Sequence, residues 1–254
     1  MKKLFFLILL TAQLHGQNNL PYKNGEFLKY KVTYGLIHAG FATLAVENTK
    51  INDKPGLHVI GKGWSVGITD FLFPVMDNYE SYFDPNTFRP NRFIRKINEG
   101  GHTKNKEILF DFDNLKATVI NYKRQTQKDY PINKKVKDMM MSVYYFRSLD
   151  FNKLETGEIV TFDLFFDEEI HSLKIIVKGR EQIQTNFGTL NTLVIMPLVQ
   201  QGRVFKENES LTIWFSDDEN KIPVKLKASI LVGSIKMDLE EYKGLSQDFP
   251  TSFN

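Results

Sequence analysis

The feature that most constrains this chain is a run of alternating residues near its C-terminus, from Leu211 to Glu241. Val224, Leu226, Ala228 and Ile230 fall on one side of an extended backbone, with Lys225, Lys227 and Ser229 on the other. After a tight bend near Gly233, Ile235, Met237 and Leu239 alternate with Lys236, Asp238 and Glu240. Side chains of a strand point in turn to opposite faces, so the pattern predicts strands with one dry and one wet face. With Leu211 to Ser216 ahead of it and the polar turn Asp217-Asp218-Glu219-Asn220 between, the run reads as three antiparallel strands.

The same reading extends upstream. Leu28, Tyr30, Val32 and Tyr34 alternate with lysines and Thr33, and a bend through Gly35 to Gly40 leads into Ala42, Leu44 and Val46. Asn52 to Gly56 is a turn, in which proline pre-sets φ and glycine tolerates its positive values. A strand follows from Leu57 to Ser65, where Gly61 and Gly63 signal a bulge or a close backbone approach. Tyr79 to Asp84 and Asn91 to Asn98 read as strands, and Gly100-Gly101 as a two-residue hairpin turn. Ile108, Phe110 and Phe112 share a face, and Lys116 to Tyr122 follows as a further strand. Lys123 to Lys137 reads as a surface connection. Asp138 can cap a helix over 138–149, with Met139, Val143, Phe146 and Leu149 at helical spacing. Ile159 to Phe166, Ser172 to Gly179 and Leu190 to Leu198 return to strand. The predicted architecture is all-β, with one main helix and a strongly curved antiparallel sheet of roughly ten strands, an incomplete barrel or barrel-like.

Met1 to Gly16 has the form of a secretory signal: Lys2 and Lys3, the apolar run Leu4 to Leu10, then small residues for cleavage. That run falls short of the ~20 apolar residues a spanning helix needs. The expected organisation is therefore a signal at 1–16, one exported β-rich domain at 17–245 and a loose tail at 246–254. The chain has no cysteine, which excludes a disulfide scaffold and a lipidated N-terminal cysteine. Loss of Lys2 and Lys3 lowers the formal charge from +3 to +1, a balance that does not suggest nucleic acid. The sequence predicts a periplasmic or extracellular protein with no transmembrane segment after signal removal, and it sets no oligomeric state.

Several separated motifs occur in one order. They are Gly25-Glu26-Phe27-Leu28-Lys29-Tyr30 with Ala39-Gly40, Tyr79-Glu80-Ser81-Tyr82-Phe83-Asp84 with Arg89-Pro90, and Val143-Tyr144-Tyr145-Phe146-Arg147. Gly179-Arg180-Glu181, Ile213-Trp214-Phe215-Ser216-Asp217-Asp218, Ile222-Pro223-Val224 and Gly233-Ser234-Ile235 complete the set. Over Asn24 to Gly244 the chain resembles a bacterial exported family, domain of unknown function 3108. The resemblance implies a β-rich cell-envelope protein and carries over no catalytic residue.

Little in the sequence points to chemistry. The acidic turn at Asp217 could offer oxygen ligands to calcium, but it lacks the spaced acidic pattern and its glycine, and a solvated hairpin turn is favoured. Asp77, Glu80 and Asp84 near Arg89, Arg92 and Arg95 offer carboxylates for a glycan or lipid hydrolase, with no further feature to single them out. His38, His58, His102 and His171 show no metal spacing, and no G-x-S-x-G elbow occurs. No catalytic residue, metal or cofactor is assigned.

Arg95, between Phe93 and Ile97 on an apolar face, must pair, snorkel or face a cavity, or else protects an edge strand; Arg147 beside Tyr144 is similar. What remains is apolar surface: 21 Phe, 10 Tyr and 2 Trp. The leading expectation is non-enzymatic binding of a lipid-like or other apolar small molecule on a concave face. Phe71, Leu72, Phe73, Met140, Tyr144, Arg95 and Arg147 would line it. The apolar segment 66–76 and the helix would act as lids. A purely structural or partner-binding module is the other reading. Gly40, Trp214, Asp217, Asp218, Pro223 and Gly233 form a structural signature, with Trp214 expected to be mostly buried.

Overall fold

Alternation resolves into strands over most of the chain. The structure is a computed structural model and describes residues 20–198 and 210–250; the signal-like segment lies outside them. The first half holds β1 (Phe27–Tyr34), β2 (Ile37–Ile51), β3 (Lys54–Ser65), the short helix α1 (Gly67–Leu72), β4 (Met76–Asp84) and β5 (Arg89–Glu99). It continues through β6 (His102–Asp111), β7 (Lys116–Asn121) and β8 (Thr126–Pro131) to helix α2 (Met139–Arg147). The second half holds β9 (Ile159–Phe166), β10 (Glu169–Thr185), β11 (Gly188–Pro197), β12 (Leu211–Ser216), β13 (Pro223–Ser229) and β14 (Ser234–Lys243).

All fourteen strands form one antiparallel sheet in the order 8-7-6-5-4-3-2-1-14-13-12-11-10-9. Each strand therefore pairs with its chain neighbours, except β8 with β9, and the first and last strands pair with each other in the middle. The sheet is not closed: β8 and β9 are its edges. The segment after β8 bridges the gap, with Lys137 N–H donating to Asp163 O and Phe165 N–H to Lys137 O, both at 2.9 Å.

α2 runs inside this curl, packed on β3, β4 and β9. The Asp138 side chain caps it, accepting from Met141 N–H at 2.8 Å. Met140, Met141, Tyr144, Phe146 and Arg147 are all buried. A helix buried round most of its circumference belongs in a core rather than over one. The helix thus fills the concave side instead of closing it as a lid. Phe83, Phe93, Phe110 and Phe165 belong to the cluster around its first turns, while Phe151 and Phe215 meet Phe146 and Phe162 meets Tyr145 near its end.

Local details depart from the sequence reading. The β1–β2 turn is Gly35-Leu36, and Gly40 lies inside β2, where a Cβ would stand 2.0 Å from the Trp64 carbonyl oxygen. In the β2–β3 turn the positive φ values fall on Asn52 (50°) and Asp53 (63°), not on Gly56, which is in strand. The expected surface connection 123–137 contains β8, and its Ile132, Val136 and Lys137 are buried. Phe249, expected in a loose tail, packs edge-on against Tyr242 and Phe187.

Candidate functional site

The proposed ligand residues divide among three places. Met140, Tyr144 and Arg147 lie in the interior on α2. Met140 occupies the space left by Gly61, where a Cβ would come within 2.7 Å of its methyl. Tyr144 meets Tyr22 edge to face at 4.9 Å. Arg147 forms a two-pronged pair with Glu26 at 2.6 and 2.7 Å, both side chains 0% exposed. It also donates to the carbonyls of Asn220 and Pro21. Burial acts to lower the Arg147 pKa, but the Glu26 carboxylate outweighs it, so the guanidinium stays charged above its ordinary range. Burial likewise pushes the Tyr22, Tyr30 and Tyr144 hydroxyls up. This pair ties the end of α2 to the start of β1 and to the β12–β13 turn, and it leaves no open face for a ligand. The signal for its partner was in the Gly25-Glu26 motif, but nothing local says that Glu26 turns inward.

Arg95 lies on the concave face and pairs with Asp167 at the β9–β10 turn, 2.8 Å away. Lys106 and Tyr130 both hold Glu168 beside it, at 2.7 and 2.5 Å. These contacts clasp the second half of the sheet onto the first, and the Asp167 pair offsets the cost of the buried arginine although its Nε has no partner. Beneath the clasp a void of about 10 Å³ is bounded by Phe93, Ile108, Val119 and Phe166, room for about one water.

Phe71, Leu72 and Phe73 are elsewhere, on the outside. α1 packs on β2, Val66 N–H donates to Ala39 O, and no α1 residue is buried. Phe71 is 83% exposed, and the Phe73 ring lies over Gly100 in the β5–β6 turn. The neighbouring tips carry more of the same. Leu36 at the β1–β2 turn is fully exposed, and Ile37 beside it is also open. Leu231 and Val232 protrude from the β13–β14 turn, which Tyr34 joins to the β1–β2 turn by donating to Val232 O at 2.9 Å. Ile68 and Met76 complete the rim. Ten of the fifteen exposed large apolar side chains among the described residues sit at these three adjacent tips, counting Tyr34. Monomeric proteins rarely expose contiguous apolar surface without using it.

The carboxylates considered for hydrolysis do not converge. Alternation along β4 sends Asp77 to the concave side and Glu80 to the convex one. Burial, with Glu99 adding to it, raises the Asp77 pKa to about 6. Glu80 instead accepts from Asn78 and Tyr82 and bonds the His58 ring, which outweighs its burial and lowers its pKa. Asp84 caps its own turn through Asn86 N–H. No cluster of three or more metal-ligating side chains exists among the described residues.

The signature residues serve turns. Asp218 accepts from Asn220 and Lys221 N–H and from Ser216 Oγ, which fixes the acidic turn, and Asp217 pairs with Arg180 at 2.8 Å. Pro223 supplies the carbonyl that accepts from Tyr30. Gly233 has φ 81° in the last turn. Trp214 is half-buried, its indole donating to Glu181; the fully buried aromatic of that strand is Phe215, one residue on and facing the core.

The family described as protein of unknown function, DUF3108, matches residues 29–240. The chain belongs to this family. Among solved structures, the DUF3108 chain is similar to a β-barrel-like protein of domain of unknown function DUF1849 from Brucella abortus. The TM-score is 0.56 at 10% identity, over 87% of this chain and 98% of that one. At that identity the likeness supports the barrel-like fold alone. A DUF1089 family protein from Pseudomonas aeruginosa aligns over 85% of this chain and 95% of its own, at 9% identity and a TM-score of 0.38. No curated protein matches this DUF3108 chain.

Proposed function

We propose that this DUF3108 protein is an exported, non-enzymatic cell-envelope module that binds an apolar or amphiphilic ligand. The binding surface is the exposed apolar rim of α1 and the β1–β2 and β13–β14 turns, rather than the concave face. The observation that carries this reading is the gathering of exposed apolar side chains at three neighbouring tips while α2 fills the interior. Leaving large apolar side chains in water forgoes about 1.5–3 kcal/mol each, and covering them returns that energy.

A fluorescent fatty-acid probe is expected to bind and to be displaced by lipid extract. Phe71→Asp with Phe73→Asp should weaken it at least tenfold with the melting temperature unchanged, because neither residue is buried. Unaltered probe affinity in that variant would remove the rim from the proposal. Export has its own test: N-terminal sequencing of the mature protein should begin near Gln13 or Gln17, and a retained Met1 would refute it.

A further inference from the structure

Beneath the apolar tips lies a second feature that the rim alone does not explain. Lys227 and Lys236 stand directly opposite each other across β13 and β14, on the convex face. Like charges in register across a strand pair repel. Their row continues through Thr212 on one side and Thr33 and His38 on the other, without a carboxylate. On the other flank, Lys62 and Lys96 face Asn78 from either side, in a row whose next members are Thr43 and Asn105. Among the described residues none of these four lysines forms an ion pair, although Arg92, Arg95, Lys104 and Lys106 nearby all do.

The heights agree. Lys62 is three residues below the end of β3, where α1 begins, and Lys227 is four below Leu231. At about 3.3 Å per residue, both rows lie roughly 10–13 Å beneath the tips. An interfacial amphipathic segment sinks its apolar face about 5–10 Å into the headgroup and acyl boundary, and a lysine stem spans several ångströms more. With the tips in the acyl boundary, the ammonium groups meet the phosphate level on both flanks.

Resting on the rim reading above, we propose that the occupant of the rim is a bilayer surface bearing anionic phospholipid. The Leu36, Phe71, Leu72, Leu231 and Val232 side chains insert, and Lys62, Lys96, Lys227 and Lys236 take the headgroup phosphates. The protein lies on the membrane and does not cross it with a helix: no helix among the described residues is long and apolar enough to do so.

The test is sedimentation with vesicles of phosphatidylcholine alone or with about one-third phosphatidylglycerol. Binding is expected to the anionic vesicles and to weaken with added salt. Each lysine near an anionic surface contributes about 1 kcal/mol, so Lys227→Gln with Lys236→Gln should lower affinity roughly thirtyfold. Leu231→Ser with Val232→Ser should abolish binding, and both variants should melt as the parent does. Failure to bind anionic vesicles, equal binding to both vesicle types, or anionic binding that survives both double substitutions would overturn the proposal. If vesicles do not bind but the fatty-acid probe does, the bilayer inference falls and the rim reading stands. If neither binds, both fall.

Discussion

Among single residues, Arg147 carries the most. Removing two charges from water costs several kilocalories per mole, and a good pair repays this only when both partners stay. Glu26→Gln or Arg147→Met alone is expected to cost about 3–5 kcal/mol, while the double replacement by apolar residues should recover much of it. Urea titrations of the single and double variants check this cycle. Asp138 sets a pH dependence. Burial raises its pKa from 3.8 to about 7, while Ser81 donates to it at 2.5 Å and Met141 N–H at 2.8 Å. The folded state thus holds a proton that the unfolded chain has released. The associated stability is full below pH 4 and is lost as pH rises through about 7, on the order of 4 kcal/mol in all. Asp138→Asn keeps the cap acceptor and should flatten the stability profile over that window. A parallel slope in parent and variant would show that another group is responsible. Asp138 was legible as a cap from the apolar residues that follow it. Its inward position beside Ser81 was not, because no local pattern reports which strand a cap will meet.

At the scale of elements, strands were legible and their surroundings were not. The run from Leu211 resolves into β12, β13 and β14 because period-two alternation is dictated by the backbone itself. α2 begins where Asp138 predicts, yet it fills the core instead of acting as the expected lid. Apart from Ser142, Met139 to Phe146 is apolar or aromatic all round, and that is the mark of a helix wrapped on most sides rather than laid on a surface. The ligand face expected around Tyr144 and Arg147 fails for the same reason, since Tyr22 covers the Tyr144 ring and Glu26 and Asn220 bond Arg147, all far away in sequence. Glycines divide similarly. Gly61 and Gly63 both signal a bulge or a close approach, but only Gly61 is approached, by Met140; a Cβ at Gly63 meets nothing, and the tightest strand glycine is Gly40. Gly40→Ala drives a Cβ into the backbone of β3 and should cost about 1–3 kcal/mol, whereas Gly63→Ala should stay within about 0.5 kcal/mol of the parent. Thermal melts of the two variants give the comparison.

For the whole molecule, the governing fact is that β1 pairs with β14. Tyr30 on β1 donates to Pro223 O across 193 residues of chain. Contacts this distant in sequence slow folding, since the loop must be closed before the pairing is gained. A circular permutant joined between the two chain ends and opened at the exposed Lys134 shortens the loop between β14 and β1 to a few tens of residues. It should reach the same fold and refold faster in stopped-flow measurements; an unchanged rate would place the slow step at α2 or the clasp instead. During synthesis the first strand must wait for the last. A fragment ending anywhere before Ser234 leaves β1 with a row of unmatched amides, a template for sticking to other chains. The seam therefore acts as a checkpoint of synthesis: the two halves of the sheet join only once β14 has left the ribosome.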